Sequence, residues 1–285
     1  RVIDASAFLL VPRIVREVSK PAGEITIQLA AQWDDFGFGT TLFDGDLIKV
    51  YAVNLANPTG ILVFQGHVIG IKSKYTAIES SVELRVYPID ALLSDALAFS
   101  STSYNKTYTT QDIDTMFSGI ISDCNTTHGA TFFTSSLGNP GLSITYSFTR
   151  LSHLPCLQKA ATFLDASWFW RISAGAEVEL AQWNDTTATH TFTLGRDIES
   201  LETDRTIVNL KNGELLGWGT GPTTYTLYND ATSVTAYGKR QFTDTDTEIP
   251  LLIYANRRGD GDIERMKDPK VAVSLTVNAL YAIET

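Results

Sequence analysis

Residues with the chemistry for catalysis or metal binding are few in this chain, and their spacing is unfavourable. The four histidines are scattered, and none forms the His-x-x-x-His or His-Glu-x-x-His pair that zinc sites use: His67, His128, His153 and His190. The two cysteines, Cys124 and Cys156, are too few for a disulfide framework. We expect reduced and largely buried thiols, although the sequence leaves a disulfide between them open.

Two glycine-rich segments resemble ligand-binding loops only in part. Residues 217–222 have the glycines of a phosphate loop but lack its lysine and the helix that should follow it. Asp260 and Asp262 resemble the start of a calcium loop, but the remaining ligands are missing at the required spacing. The tripeptide Arg258-Gly259-Asp260 is an adhesion motif that we interpret as a chance occurrence in an exposed loop. Neither segment is assigned a ligand.

Carboxylate pairs and aromatic residues are the remaining candidates for a catalytic or sugar-binding site. Asp34 and Asp35 are adjacent, so in an extended segment they point to opposite faces and cannot flank one glycosidic bond. Trp168, Phe169 and Trp170 could form a sugar platform, although core packing of alternate rings is the more common arrangement. We therefore predict no catalytic residue, no metal site, no cofactor, and a protein that is not an enzyme.

Composition narrows the class of protein further. The 285 residues carry a net charge of −10, which argues against a surface that grips nucleic acid, because phosphate binding needs Lys and Arg. The same charge would suit a wall along which DNA slides, or it could simply keep the protein soluble. No apolar run approaches the ~20 residues of a membrane span, so we expect no integral membrane protein.

The first region of the chain, residues 1–99, has the pattern of an all-β domain with one helix at its end. Residues 24–29 alternate apolar and polar side chains, and a three-strand meander follows between residues 42 and 86. A short helix is expected after Pro88. The first residue is Arg1, and we expect that the natural N-terminus is processed or missing.

A small α/β domain is predicted over residues 104–197. Thr109 and Asp112 resemble a capping box, and one helix face follows: Ile113, Met116, Phe117, Ile120 and Ile121. A loop at 135–141, a strand at 142–148, a helix capped by Ser152, and a hairpin over residues 168–183 complete the domain.

A second β-rich domain is predicted over residues 198–285. Asn212-Gly213 is the strongest short hairpin signal, and it predicts that residues 205–210 pair with residues 214–219. Strands at 225–228 and 271–280, a helical turn at 233–237 and a helix at 249–256 follow. Residues 257–268 are expected to be a loop. The last strand ends close to Thr285, so we expect the natural chain to continue. The fold class is α+β, mainly β.

The order of these features resembles the hub proteins at the tail tip of tailed bacteriophages, the tail hub or baseplate hub family. The residues that carry the resemblance are segments 44–50, 64–68 and 82–86 with the helix at Ile89, and then segments 229–233, 237–240, 249–256 and 269–271. They cover about two thirds of the chain in two blocks. The resemblance implies two tail-tube-like β-barrel domains that flank the small α/β domain.

The resemblance also implies a function and a set of partners. It implies a structural, non-enzymatic homotrimer whose ring surrounds the DNA channel in the tail tip of the virion, after assembly in the host cytoplasm. A tail tube or distal tail protein ring would lie above, tail-tip or fibre proteins below, and DNA would pass through during ejection without specific binding. Two alternatives stay open: a receptor- or glycan-binding tail-tip protein, and a cell-wall hydrolase associated with the tail.

Overall fold

The computed structural model of the chain describes residues 8–10, 24–29, 45–52, 60–75, 80–183, 198–221 and 223–277. The chain divides into two compact units. The first contains Arg1–Ala96, Gly129–Ser136 and Trp170–Glu179, and the second contains Leu97–His128, Leu137–Phe169 and Leu180–Thr285. The predicted domain boundaries at 1–99, 104–197 and 198–285 stay a prediction. Asp34, Asp35 and His190 lie outside the described residues.

A five-stranded antiparallel sheet forms most of the first unit. Its strands are β1 (Phe8–Leu10), β2 (Ile25–Leu29), β3 (Leu47–Ala52), β4 (Ile61–Tyr75) and β5 (Ser80–Pro88), in the spatial order β1-β2-β5-β4-β3. Alternate side chains are buried, as the period-two pattern predicts: Ile25, Ile27, Phe64, Val82, Leu84 and Val86. The predicted meander is therefore confirmed. A 3-10 turn (Ile89–Ala91) and α1 (Leu92–Asp95) follow Pro88, also as predicted.

The central part of the chain contains two helices, a strand pair and a small sheet. Strand β6 (Asn105–Asp112) pairs with β8 (Ser143–Thr149), and the helices are α2 (Ile113–Thr127) and α3 (His153–Ala161). A separate sheet has the order β7-β10-β9, from β7 (Thr134–Leu137), β9 (Trp168–Ile172) and β10 (Glu177–Gln182). All five residues of the predicted α2 stripe are buried. The predicted hairpin over residues 168–183 is confirmed.

Two local predictions in this part are wrong. Thr109 is not in a capping box, because β6 continues to Asp112 and the Asp112 side chain makes no cap hydrogen bond. The Asp112 carboxylate instead accepts a hydrogen bond from the Ser143 hydroxyl on the neighbouring strand. The loop predicted at 135–141 begins as strand β7, whose Thr134 amide donates to the Ala176 carbonyl at 3.3 Å. Both strands consist mainly of polar residues, so they lack the alternation of apolar and polar side chains that predicts a strand.

The last third of the chain forms a ribbon and a sheet. Strand β11 (Ile198–Thr206) pairs antiparallel with β15 (Lys270–Val277) as a two-stranded ribbon. Strand β12 (Gly213–Trp218) lies between β13 (Thr224–Asn229), which is antiparallel to it, and β14 (Gln241–Asp246), which is parallel. Helix α4 (Ala231–Tyr237) connects β13 to β14, and α5 (Leu252–Met266) packs on β12 and β13. The sheets of the described residues are open. The α+β, mainly β class is confirmed, whereas barrel closure stays a prediction.

The predicted hairpin at Asn212-Gly213 is wrong. Asn212 is fully buried, and its side chain accepts from the Arg240 amide at 2.7 Å and donates to the Gly238 carbonyl at 2.8 Å. The asparagine therefore holds the start of β14 instead of occupying a turn. Residues 205–210 and 214–219 consequently do not pair with each other. A type I′ turn also needs positive φ at both central residues, and neither position has it.

The predicted loop at residues 257–268 is also wrong, because α5 continues to Met266. Two glycines in a helix each cost about 1 kcal/mol relative to alanine, which is why the sequence indicated a loop. Packing explains them. A Cβ on Gly259 would overlap the Tyr228 ring, and a Cβ on Gly261 would lie 3.1 Å from the Leu164 carbonyl oxygen. The glycines thus let the helix approach its neighbours closely.

Gly259→Ala tests this packing. Helix propensity alone would stabilise the protein by up to ~1 kcal/mol. The overlap with the Tyr228 ring should outweigh it and lower the free energy of unfolding by about 1–3 kcal/mol. Urea unfolding measures the difference. Asp260→Ala is the control, since Asp260 is exposed on the same helix and its replacement should be neutral or slightly stabilising. A Gly259→Ala variant as stable as the wild type would contradict the contact.

Candidate functional site

Arg258 lies at the centre of a partly buried group of charged residues in the second unit, and its own side chain is 9% exposed. Its Nη1 donates to the Asp246 carboxylate at 2.6 Å, its Nη2 contacts the Asp244 carboxylate, and its Nε lies 3.5 Å from Asp262. We call this group, with its immediate polar neighbours, the charge cluster: Tyr146, Lys159, Glu214, Asp244, Asp246, Arg258, Asp262 and Arg265.

Asp246 connects the cluster to the preceding part of the chain. Its Oδ2 accepts hydrogen bonds from the Tyr146 hydroxyl at 2.8 Å and from Lys159 Nζ at 3.2 Å. Burial alone would raise the pKa of the Asp246 carboxyl. The charge of Lys159, the Tyr146 hydroxyl and the charge of Arg258 outweigh that effect and lower this pKa below its ordinary value. Strand β14 is thereby joined to β8, α3 and α5 through one carboxylate.

Arg265 makes a second connection from the same helix. Its guanidinium donates to the Ala161 carbonyl at 3.2 Å, and it also contacts the Leu164 carbonyl, both at the end of α3. The same group lies 3.1 Å from the Asp262 carboxylate. Gly261 packs against the Leu164 carbonyl beside these contacts. Helix α5 is therefore fixed to α3 by both an arginine and a glycine.

Glu214 is the exceptional member of the cluster. It lies on the central strand β12, its side chain is fully buried, and no described residue donates a hydrogen bond to either of its carboxylate oxygens. Burial and the charges of Asp262 and Asp244 raise its pKa to about 7, against the opposing effect of Arg258. This carboxyl therefore carries a proton over much of the acidic range while its aspartate neighbour Asp246 stays ionised.

A second polar group surrounds Asp123 on α2. Its carboxylate accepts from the Phe99 amide at 2.7 Å and lies 2.9 Å from His153 Nε2. Phe99 has a φ of 59°, so the carboxylate holds a left-handed backbone position that few residues adopt. Burial, with the Asp123 charge, raises the pKa of Cys156 to about 12. A thiol held in its neutral form is a poor nucleophile, so Cys156 is not activated for nucleophilic chemistry.

The structure places the other sequence candidates apart from each other. His67 lies on β4, where its Nδ1 is 2.8 Å from the Gly45 carbonyl and its ring contacts Phe132 edge-on. His128 ends α2. Cys124 and Cys156 are buried and are not joined by a disulfide, as expected. Within the described segments, no group of three His, Cys, Asp or Glu residues is arranged to hold a metal ion, and no helix is long and apolar enough to span a membrane.

The two glycine-rich segments lie at the end of a hairpin and within a helix, respectively. Arg258 is buried in α5, so the Arg-Gly-Asp tripeptide is not presented to a receptor, and Asp262 lies beside the guanidinium groups of Arg258 and Arg265. Residues 217–221 are the end of β12 and the start of the turn to β13, whereas Pro222 is outside the described residues. The three aromatic residues Trp168, Phe169 and Trp170 do not form one exposed sugar platform, because Trp170 is buried. Phe169 stacks instead on Trp183, with 4.3 Å between the ring centroids.

Sequence reasoning missed the charge cluster. Arg258 and Asp262 are four positions apart, which is the spacing of an ion pair on a helix. That signal was present, but the intervening glycines indicated a loop. Asp244 and Asp246 share one face of β14, because every second side chain of a strand points to the same face. Nothing in the sequence, however, indicated that this face and Arg258 would meet.

Comparisons with known proteins support the fold. No family model matches the chain, and no curated protein matches it in sequence. Solved structures do share its fold, three tail proteins among them. The 43 kDa tail protein of prophage MuSo2 from Shewanella oneidensis has 14% identity and a TM-score of 0.59, over 93% of this chain and 76% of that one. Prophage tail protein gp18 from Listeria monocytogenes has 11% identity and a TM-score of 0.56, over 97% and 76%. A tail protein from Neisseria meningitidis has 12% identity and a TM-score of 0.60, over 91% and 74%.

Asp246→Asn tests the charge cluster. Removing the buried Asp246 carboxylate takes one of three carboxylates from Arg258 and leaves Lys159 without its carboxylate partner, so the free energy of unfolding should fall by about 3 kcal/mol at neutral pH. Because the pKa of Asp246 is lowered by folding, its contribution is present above the unfolded-state pKa near 3.8 and is lost as pH falls through the folded-state pKa. Below about pH 4 the wild type should therefore lose more stability than the variant.

Asp244→Asn is the matched control for that experiment. Asp244 contacts the same guanidinium, but its side chain is 39% exposed, so solvent screens its charge. The loss of stability should be clearly smaller than for Asp246→Asn. Chemical denaturation at several pH values measures both variants. Equal losses would show that Asp246 has no special position in the cluster.

Proposed function

We propose that this protein is a structural component of the tail of a tailed bacteriophage, in the role of a hub or baseplate protein. The observation that carries the proposal is the shared fold over 91% to 97% of this chain with proteins described as tail proteins. The proposed assembly is a homotrimeric ring at the tail tip that joins the tail tube to tip or fibre proteins and surrounds the DNA channel.

The burial of the carboxylates in the charge cluster supports a role without catalysis. A glycosidase needs two accessible carboxyl groups flanking one bond. In the charge cluster, Asp246 and Glu214 are buried, and Asp246 is bound to Tyr146, Lys159 and Arg258. These groups fix elements of the fold to each other. The net charge of −10 would let DNA pass a lumen without specific binding.

The β11–β15 ribbon supports assembly from copies. Its described side chains are exposed on both faces from residue 199 to 205 and from residue 270 to 274. A two-stranded ribbon is marginally stable alone, and its open edges are templates for pairing with another chain. Leu201, Val271 and Val273 form an apolar strip on one face, with exposures of 51%, 59% and 56%. Pairing between copies at this ribbon would cover the strip and supply the missing barrel closure.

Mass measurement of the purified protein tests the trimer. Light scattering should give three times the 31.3 kDa chain mass, and electron microscopy should show a ring with a central passage. Val273→Asp should give monomers, because it puts a charge into the apolar strip. Val208→Asp is the matched control, since Val208 is 76% exposed outside the ribbon. Monomers of the wild type without a central passage would contradict the proposed ring.

Position in the virion tests the tail role separately. Gold-labelled antibodies against this chain should bind the tail tip of particles from the phage that encodes it. Labelling along the whole tail shaft would exclude the hub position but keep a tail role. Particles without any label after mild disruption would contradict both.

A receptor- or glycan-binding role is the second candidate, and one observation favours it. Trp183 is 53% exposed and stacks on Phe169, which gives an aromatic surface of the kind that sugars bind. On a glycan array, Trp183→Ala should abolish any signal if this surface binds sugar. Trp168→Ala is the comparison, because the sequence indicated that residue. An array without signal for the wild type would remove this candidate.

A further inference from the structure

Glu214 occupies a position where an ionised carboxylate has no compensation. It faces α5 from the middle strand of the sheet, opposite Tyr228 on β13 and Phe242 on β14. Its charge interacts with Asp262 and Arg258 on α5 and with Asp244 on β14. The side chain is fully buried, so water cannot solvate it as it solvates a surface glutamate.

All three cations of the charge cluster already have carboxylate partners. Arg258 is bound by Asp244 and Asp246 and lies beside Asp262. Lys159 is bound to Asp246, and Arg265 to Asp262. Three aspartates therefore match three cations before Glu214 is counted. An ionised Glu214 would be a fourth carboxylate without a hydrogen-bond donor among the described residues. A proton on Glu214 removes that unpaired charge without moving any other group.

We propose that Glu214 is a proton-operated switch between α5 and the β12–β14 sheet. Binding of a proton at its carboxylate closes the helix onto the sheet, and loss of the proton loosens this packing. The inference rests on the geometry of the second unit and does not depend on the proposed tail role. In a particle that meets changes of acidity, it would let this unit stiffen or loosen without any ligand.

The direction of the effect follows from proton linkage. Glu214 has a pKa of about 7 in the folded protein against an ordinary value of 4.5. The folded state therefore holds the proton more tightly, its stabilisation is complete below about pH 4.5, and it is lost as pH rises through about 7. The facing groups do not reverse this. Tyr228 has a raised pKa, and Asp246 has a lowered one and stays ionised across the window. Burial also raises the pKa of Asp262, so protonation of Asp262 stabilises the folded state in the same direction as protonation of Glu214.

Hydrogen exchange of α5 at several pH values tests the switch. After correction for intrinsic exchange rates, protection of α5 amides in the wild type should fall by roughly 10- to 100-fold between pH 5 and pH 8, as the difference between a pKa of about 7 and the ordinary 4.5 requires. A glutamine side chain cannot ionise, so in Glu214→Gln the protection of α5 should change with pH much less than in the wild type, and only as far as Asp262 contributes. Glu177→Gln is the matched control, because Glu177 is an exposed glutamate on a strand and should behave as the wild type.

Two further measurements separate the switch from a simple folding defect. Glu214→Leu fills the same buried space without a polar group, and it should reduce the pH dependence to the same extent if Glu214→Gln folds poorly. Carbon-13 NMR of the wild-type glutamate carboxyls should show one group that titrates near pH 7. An equal pH dependence in the wild type and a folded Glu214 variant would overturn the switch. So would titration of every glutamate near pH 4.5.

Discussion

A single buried guanidinium determines how the second unit is held together. Arg258 leaves water only because three aspartates from α5 and β14 surround it. A buried charge without partners is strongly destabilising, so the helix and the strand must keep their relative position for either to stay in place. Asp246 extends the constraint to Tyr146 on β8 and Lys159 on α3. Two pairs of elements, β8 with α3 and β14 with α5, thus depend on one set of contacts although about 80 residues separate the pairs.

The glycines of α5 belong to the same constraint. Arg258 can reach the aspartates of β14 only if its helix lies close to the sheet. Gly259 gives that closeness, because its missing side chain leaves space for the Tyr228 ring, and Gly261 gives it towards the Leu164 carbonyl. The two glycines weaken the helix locally and strengthen its packing. Local helix propensity alone therefore predicts a loop at these residues.

The elements that could be predicted from sequence are those whose burial pattern is local. The stripe of α2 and the alternation of β2 and β5 follow directly from side-chain periodicity, and each is buried as expected. The elements that could not be predicted depend on distant partners. Asn212 carries a turn signal, but it is buried and bonded to residues 238 and 240. Strand β6 is polar along most of its length, and its pairing with β8 gives no local signal.

The candidate site follows the same rule. In the sequence, Asp260 and Asp262 resemble the ligands of a calcium loop, and Arg258 begins an adhesion tripeptide. The chemistry of these residues was therefore noticed, but their partners were not, because Asp244, Asp246 and Glu214 come from other strands. Only Arg258 and Asp262 share an element, at the spacing of a helical ion pair.

Stability alone does not explain why this unit is held by charges. Apolar residues of similar volume often replace a buried ion cluster without loss of stability. Ion pairs and hydrogen bonds differ from apolar contacts because they fix direction as well as distance. The bonds of Arg258 and Arg265 therefore set the orientation of α5 relative to β14 and α3, whereas an apolar core would tolerate sliding. The trimer proposed above, in which copies would meet at defined edges, would need that orientation. We infer that the charge cluster contributes more to the uniqueness of the second unit than to its stability.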